Sequence, residues 1–470
     1  MKMLALAMVG RTLAAPLRVP PTAQPPVWEA GRLPDVLVVK LAEDQGIIVE
    51  SGQVVSAPGG AAELQSMLGE TRPRFARSSK ALRASAARAD PEGRLADLTL
   101  YVELRGRDLE SRGARLVADA RVESAFFALA PAAPPDEDIP PETPDLSAGQ
   151  SYLADAPTGL GWGEVAAWAG GNGANVVIAD LEYGWNPFHE DLDGRVPAVP
   201  DWGWASGYYP CHGTLVLGQL TAGDNGYGVT GLVTGSEILM ASPYEPTGQG
   251  YNIASSIDGI SSLMDAGDVL LIEQQAYAND SYAPVEVAPD VWDAISLAVA
   301  AGVVVVEPGG NGAADLDASV WDGWFDPAIR DSGAIMVGGG AWPDSGYEPR
   351  SWLPGGSSYG ERVDLQGWYG GITTTSYDPE LDPYCSAPDL FFVDADQAYT
   401  SGFGGTSGAS PMVAAAAAVA NSVAFEVRGE PWAPMDLRAA LVETGTRQAG
   451  SEHIGPQVDM HMFLRTWGWR

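Results

Sequence analysis

The sequence predicts an α/β protein whose main domain is a parallel sheet covered by helices on both faces. Apolar, strand-like runs recur at residues 175–179, 268–272, 302–306 and 333–337. Helix-compatible stretches, such as residues 291–301, lie between these runs. Alternating strands and helices form parallel sheets, and functional residues then gather at the carboxyl ends of the strands.

A smaller α/β unit is predicted at residues 25–130, ahead of the main domain at residues 151–470. Its strands are expected at residues 35–40, 98–102 and 122–129, and its helix at residues 60–68. Residues 131–150, between the two, are rich in proline and acidic residues, as an exposed linker would be. Residues 1–20 combine a lysine, a short apolar run and a small-residue end, which indicates a possible secretory signal peptide.

Charge is distributed unevenly along the chain. Residues 1–130 contain 17 Lys and Arg against 15 Asp and Glu, whereas residues 151–470 contain 9 Arg, no Lys and 41 Asp and Glu. An acidic surface of this kind repels phosphate backbones, so we expect no nucleic-acid partner. No uninterrupted apolar run reaches the roughly 18 residues of a membrane-spanning helix, so no membrane association is expected.

The most informative segment is residues 404–414, which read Gly-Gly-Thr-Ser-Gly-Ala-Ser-Pro-Met-Val-Ala and run into an alanine-rich stretch. Small residues ahead of an apolar run predict a tight turn into a closely packed helix, with Ser407 in its first turn. A serine there has an unpaired backbone N–H that can donate to an oxyanion. A buried structural helix is the alternative that this segment alone leaves open.

This segment resembles the nucleophile segment of the subtilisin-like serine peptidases, usually Gly-Thr-Ser-x-Ala-Ser-Pro. Two upstream segments are similar to the other parts of that family's catalytic site. Asp180 directly follows the apolar residues 176–179, and His212 begins the run His-Gly-Thr-Leu-Val-Leu-Gly. The family usually continues from its acid with a hydroxyl residue and glycine, whereas Asp180 is followed by Leu181 and Glu182.

The resemblance implies a subtilisin-like fold and a serine endopeptidase, made as a proenzyme and secreted, that acts on protein or peptide substrates. Asp180 would orient His212, His212 would act as general base, and Ser407 would attack the peptide carbonyl. Asn311, in the run Gly-Gly-Asn-Gly after an apolar strand, would help to bind the oxyanion. Residues 25–130 would be an inhibitory propeptide that docks through charge or through apolar contacts, and thus a partner of the enzyme.

Two structural features are also expected. Residues 223–229 resemble the family's calcium loop, which implies that Ca²⁺ is bound by the side chains of Asp191 and Asn225 and by backbone carbonyls of Gly223, Tyr227 and Val229. A plain glycine-rich turn is the alternative. The two cysteines, Cys211 and Cys385, are expected to form a disulfide bond, with two buried free thiols as the alternative.

Other functions were weighed against the peptidase. A catalytically silent subtilisin-like binding module is the main alternative, and a metallohydrolase is disfavoured because no paired histidines occur at ligand spacing. Near the expected substrate pocket, Glu273 and Glu307 suggest a preference for basic side chains.

Overall fold

The computed structural model describes residues 23–29, 31–89, 95–130, 143–205, 207–248, 250–383, 385 and 388–468. The possible signal peptide at residues 1–20 therefore lies outside the described residues, as does most of the predicted linker. In the described residues the strands are β1 (Arg32–Leu41), β2 (Ile48–Glu50), β3 (Gln53–Ser56), β4 (Arg72–Pro73), β5 (Tyr101–Arg105), β6 (Val122–Leu129), β7 (Val177–Leu181), β8 (Glu237–Ala241), β9 (Val269–Ile272), β10 (Gln275–Ala278), β11 (Ser281–Pro284), β12 (Val304–Pro308), β13 (Ile335–Gly340), β14 (Leu365–Trp368), β15 (Ile372–Thr375), β16 (Phe391–Phe392) and β17 (Ala398–Phe403). The α-helices are α1 (Ala61–Leu68), α2 (Ser79–Ala89), α3 (Leu109–Leu116), α4 (Pro210–Thr221), α5 (Ile253–Ser261), α6 (Pro289–Ala300), α7 (Thr406–Arg428), α8 (Pro434–Thr444) and α9 (Met460–Trp467).

The main domain is built on a six-stranded sheet in the order β14-β13-β12-β9-β7-β8, and every pairing in it is parallel. Helices α4 and α7 cover one face, and α5 and α6 cover the other. Side chains alternate between the two faces, since Ile178 belongs to the first core cluster and Ala179 to the second. The predicted parallel sheet with helices on both faces is confirmed.

Helix α7 forms the centre of the larger core cluster. Its length and composition alone would allow it to cross a membrane, but 94% of its apolar 18-residue stretch is buried inside the protein. Small side chains allow this close packing, since a Cβ on Gly367 of β14 would lie 2.6 Å from the Ala409 carbonyl oxygen. The helix is therefore a core element.

Several strands begin later than the sequence predicts, and β7 has the largest consequence. The prediction was residues 175–179, but Asn175 has a φ of 68° and the Val176 N–H donates to the Gly173 carbonyl, so a turn occupies the first two positions. The strand then continues to Leu181. In the N-terminal unit, residues 98–100 likewise form a 3-10 turn, in which Asp97 accepts from the Thr99 N–H, and β5 follows it.

The N-terminal unit has its own antiparallel sheet, ordered β4-β5-β1-β6, and its own apolar core between this sheet and α1 and α3. Its other face packs against the main domain, where Phe75 joins the core cluster that contains α5 and α6. The last residues of the predicted linker contact the main domain. The Leu146 N–H donates to the Gly228 carbonyl, and Gln150 is buried.

Cys211 and Cys385 form a disulfide bond with a Cα–Cα distance of 5.8 Å. The bond confirms the expected pairing and joins the start of α4 to the segment ahead of β16 across 174 residues.

Candidate active site

Five candidate site residues lie at the carboxyl edge of the central sheet. Glu182 follows β7, Glu273 follows β9, and Asn311 lies three residues beyond β12. His212 is the third residue of α4, and Ser407 is the second residue of α7. Because the strands are parallel, their ends meet the beginnings of the two helices at one edge, which is where α/β sheets place their sites.

His212 is held by Glu182. The Nδ1 atom of His212 and the Oε1 atom of Glu182 are 2.5 Å apart, and both side chains are buried. The second oxygen of Glu182 accepts the Tyr183 N–H at 3.1 Å. Gly213 permits this fit, since a Cβ there would lie 3.2 Å from Glu182 Cγ and 2.4 Å from the Gly184 carbonyl oxygen. The imidazole is thereby fixed with Nε2 directed away from its carboxylate partner.

The expected contact between Asp180 and His212 is not formed, and Glu182 replaces Asp180 as the partner of the histidine. Asp180 is fully buried, and neither of its carboxyl oxygens has a hydrogen-bond partner in the described part of the chain. The physical reason is the length of β7. Residues two apart on a strand face the same side, so Asp180 and Glu182 both face α4, but only Glu182 lies at the strand end.

A sequence signal for Glu182 exists. Gly184 follows it by two residues, as glycine follows the acid in the family's pattern, and Tyr183 stands where that pattern has the hydroxyl residue. The prediction overlooked this register because the strand was expected to end at Ala179.

The contact with His212 decides which of these two buried carboxyl groups carries the charge. Burial raises the pKa of Asp180 well above its usual value, and the neighbouring Glu182 raises it further. Burial also raises the pKa of Glu182, but the charge and hydrogen bond of His212 lower it. Asp180 is therefore the neutral member, and the negative charge belongs on Glu182 beside the imidazole.

Ser407 lies in the first turn of α7, where backbone N–H groups have no acceptor within the helix. Gly405 precedes the helix with a φ of 78°, a conformation that a residue with a Cβ rarely adopts. Ser407 is buried, with 7% of its surface exposed.

Asn311 is oriented by the same turn. Its side-chain Oδ1 atom accepts the Thr406 N–H at 2.8 Å, and its backbone N–H donates to Gln275 Oε1 at 2.9 Å. Since the amide oxygen is occupied, the NH₂ group is the part of Asn311 that can donate to a ligand. The structure thus brings Asn311 next to the nucleophile segment, as the sequence suggested.

Glu273 was not expected at this centre. A carboxylate oxygen of Glu182, a ring nitrogen of His212 and a carboxylate oxygen of Glu273 all lie within 4.8 Å of one another, and all three residues are buried. Burial, Glu182 and Asp180 hold the Glu273 pKa well above its usual value, and the Ser407 hydroxyl lowers it. Neither oxygen of Glu273 has a hydrogen-bond partner among the described residues.

Neither glutamate suggested for substrate selection faces the cleft. Glu273 is directed into the buried centre, and Glu307 is fully buried beside Glu286, whose carboxylate pairs with Arg362 at 2.8 Å. The open cleft beside residues 402–405 has a volume of about 620 Å³. Its described lining contains no charged side chain, and its larger members are Trp342, Leu353, Tyr369 and Phe403.

Two of the five predicted calcium ligands, the side chains of Asp191 and Asn225, lie side by side, and their oxygens accept hydrogen bonds. Asp191 accepts from Asn225 Nδ2 at 2.7 Å and from the Val229 N–H at 2.9 Å. The amide oxygen of Asn225 accepts the Tyr227 N–H at 3.2 Å, and the Tyr399 hydroxyl donates to the neighbouring Glu190 at 2.9 Å. With the side-chain oxygens of Asp191 and Asn225 facing N–H groups, the loop does not fit a calcium ion. It matches the alternative of a glycine-rich turn.

Comparison with known proteins agrees with this geometry. A family model described as "Subtilase family" matches residues 173–457. Fervidolysin from Fervidobacterium pennivorans is 27% identical over 197 residues, which cover 39% of this chain and 27% of fervidolysin. The minor extracellular protease Epr from Bacillus subtilis is 30% identical over 150 residues, covering 31% of this chain and 21% of Epr. The chain thus spans only about a quarter of the length of these relatives.

The crystal structure of fervidolysin, described as a keratinolytic enzyme related to subtilisin, superposes with a TM-score of 0.59 at 15% identity. The superposition covers 94% of this chain and 63% of the fervidolysin chain. The likeness in fold therefore extends beyond the region that the family model matches and includes much of the N-terminal unit.

Proposed function

Because the chain belongs to the subtilase family of serine peptidases, we propose that it is an active endopeptidase that uses Ser407, His212 and Glu182. The observation that carries this proposal is the buried contact of His212 with Glu182, at the edge of the sheet where α7 begins with Thr406 and Ser407. A histidine held by a carboxylate at Nδ1 can take up a proton at Nε2.

In the proposed reaction, Ser407 Oγ attacks the carbonyl carbon of a peptide bond and its proton passes to His212. Glu182 keeps the imidazole in the required tautomer and stabilises the imidazolium that forms. The oxyanion accepts hydrogen bonds from the Asn311 NH₂ group and the Ser407 backbone N–H. His212 then protonates the leaving amine, and water releases the acyl group from Ser407 by the same steps in reverse order.

We propose a preference for apolar or aromatic side chains at the position of the peptide that enters the 620 Å³ cleft. The support is the cleft's lining by Trp342, Leu353, Tyr369 and Phe403, with both nearby glutamates buried elsewhere. A profile of cleaved peptides enriched in Lys or Arg at every position near the cut would contradict this preference.

The N-terminal unit is proposed to be an inhibitory propeptide, so that the protein is made as a proenzyme. Its support is a buried contact with the main domain. Arg74 bonds to Asp290 at 2.7 Å, and Arg77 bonds to Asp258 at 2.7 Å. The Ala76 N–H also donates to the Ser255 hydroxyl at 2.9 Å.

This docking combines the two modes that the sequence left open. Charge contributes through buried arginines, while Phe75, Ala128 and Leu129 share an apolar cluster with α5 and α6. Gly31 approaches the β10 residue Tyr277 so closely that a Cβ would lie 2.4 Å from its side chain. The unit thus lies against the segment that follows Glu273, where a substrate would compete with it.

Release of the unit is tested by Arg74→Ala in the full chain. We expect the variant to show higher activity on small peptides before processing, because it loses a buried ion pair with Asp290. Arg83→Ala is the matched control, since Arg83 pairs with Glu50 within the N-terminal unit at an exposed position. Equal activity of both variants and the wild type would contradict an inhibitory contact through Arg74.

Secretion is proposed from the disulfide bond and the acidic main domain. Disulfide bonds persist mainly in oxidising compartments. The test is the first residue of the protein recovered from the culture medium. We expect it to lie within residues 131–150, after removal of the N-terminal unit.

The activity itself is tested by hydrolysis of a fluorogenic peptide by the processed protein and by Ser407→Ala. We expect hydrolysis by the wild type and none above background by the variant. Hydrolysis by Ser407→Ala at the wild-type rate would show that another group is the nucleophile.

A further inference from the structure

The loop that carries Asn311 consists almost entirely of glycine. Residues 309–312 read Gly-Gly-Asn-Gly, and Gly310 has a φ of 87°. Because glycine has more conformational freedom than other residues, such a loop keeps a single shape only when other segments hold it. Its shape matters for the proposed reaction, since the Asn311 NH₂ group must lie where the oxyanion forms.

The hairpin of β10 and β11 lies directly against this loop. Asn279 and Asp280 form its two-residue turn, with φ values of 50° and 58° as in a type I′ turn. A Cβ on Gly312 would lie 2.1 Å from the carbonyl oxygen of Tyr282 in β11. The glycine at this position therefore allows the hairpin backbone to contact the loop with no side chain between them.

Two side chains of the hairpin bond to the backbone of the loop. Gln275, the first residue of β10, accepts the Asn311 N–H at its Oε1 atom at 2.9 Å. The hydroxyl of Ser281, the first residue of β11, donates to the Gly312 carbonyl at 2.7 Å. The two bonds hold the loop just before and just after the side chain of Asn311.

Other hydrogen bonds of the loop join backbone to backbone. The Ser358 N–H donates to the Gly310 carbonyl at 2.8 Å, and the Ala313 N–H donates to the Gly356 carbonyl at 2.9 Å. A bond between two backbone groups can form whatever the side chains are. The bonds from the hairpin, by contrast, depend on residue type, so they can be removed one at a time by substitution.

On the basis of the proposed function, we propose that Gln275 and Ser281 are positioning residues of the oxyanion site, which act through Asn311. The Gln275 amide holds the backbone of Asn311, while the Thr406 N–H holds its side-chain oxygen. Together these contacts direct the Asn311 NH₂ group. The oxyanion forms only as the reaction proceeds, so the hairpin should affect kcat and leave KM unchanged.

The test replaces Gln275 with methionine in the processed protein. Methionine keeps the length of the side chain but has no amide oxygen to accept the Asn311 N–H. We expect kcat of Gln275→Met to fall by about 10- to 100-fold, less than in Asn311→Ala, with KM unchanged. Gln397→Met is the matched control and should keep the wild-type kcat, because Gln397 is also half-buried but bonds to Glu190, at 2.7 Å.

A double-mutant cycle separates positioning from a general structural role. If Gln275 acts through Asn311, Gln275→Met should cause little further loss of kcat in a protein that already carries Asn311→Ala. Effects that are independent of Asn311 would multiply instead. Ser281→Ala, which removes the bond to the Gly312 carbonyl, should give the same pattern.

Each outcome decides the matter. A wild-type kcat in Gln275→Met, equal losses in Gln275→Met and Gln397→Met, or losses that multiply in the double variant would overturn the positioning role while leaving Ser407 as nucleophile. If Gln275→Met fails to fold, the cycle of Ser281→Ala with Asn311→Ala decides, and a wild-type kcat or a multiplied loss there overturns the role. A wild-type protein that hydrolyses no peptide and is not labelled at Ser407 would instead overturn the proposed function, and the positioning role with it.

Discussion

Glu182 and Asp180 provide the sharpest test of the site, because they are two residues apart, equally buried and on the same face of the sheet. In Glu182→Gln the charged acceptor for His212 Nδ1 is lost, while the shape of the side chain is kept. A glutamine can also present its NH₂ group to Nδ1 and so favour the tautomer that lacks a free Nε2 lone pair. Neutralising the triad carboxylate in serine peptidases lowers kcat by about 10⁴-fold, or roughly 5.5 kcal/mol in the activation barrier.

Asp180→Asn is the matched control. Asp180 is already the neutral group of the pair, so the substitution changes little of the charge in the site. We expect Asp180→Asn to keep a kcat/KM close to that of the wild type. The measurement is kcat/KM on a fluorogenic peptide at neutral pH, with circular dichroism to show that both variants fold. A large loss of kcat/KM in Asp180→Asn with a small loss in Glu182→Gln would refute the assignment of Glu182 and favour Asp180 as the partner of His212.

Three other predictions concern separate parts of the molecule. Asn311→Ala should lower kcat by about 10²- to 10³-fold, because one oxyanion donor is lost, and a wild-type kcat would remove Asn311 from the site. Replacing Cys211 and Cys385 together with serine should lower the free energy of unfolding by up to about 5 kcal/mol on the chain-entropy model, measured in urea; no change in stability would contradict a constraining bond. The melting temperature should be the same in excess calcium and in a chelator, because the Asp191 carboxylate already accepts hydrogen bonds. A higher melting temperature in calcium would show that the loop rearranges to bind the ion.

The parts of the site that could be predicted are those with a local backbone requirement. Ser407 needs a tight turn into a helix, which Gly405 and the small residues after Ser407 make visible in the sequence. Asn311 directly follows two glycines, and a run of four valines lies a few residues earlier, so its place beyond a buried strand was also visible. Residue type and position along the chain were enough in these cases.

The choice between Asp180 and Glu182 required the structure. Both acids face the same helix, and a strand end is uncertain by about two residues in any reading of a single sequence. Only the contact of His212 with Glu182 separates them. The calcium loop also required the structure, since the hydrogen bonds that Asp191 accepts from Asn225 and Val229 depend on how the loop folds back on it.

Glu273 shows the limit of pattern-based reasoning. Its position after β9 was recognised, but its direction was not, because it depends on how close α4 and α7 come to that strand end. A charged residue at the edge of a predicted pocket suggested substrate binding. Its burial beside Glu182 and His212 instead keeps it away from the cleft.

The most direct test of the account is covalent labelling of the processed protein by a fluorophosphonate, with the labelled peptide identified by mass spectrometry. We expect labelling at Ser407 that is abolished in His212→Ala and strongly slowed in Glu182→Gln. Absence of labelling in the folded, processed wild type would contradict an active serine peptidase, and labelling that persists unchanged in His212→Ala would contradict the role of the histidine.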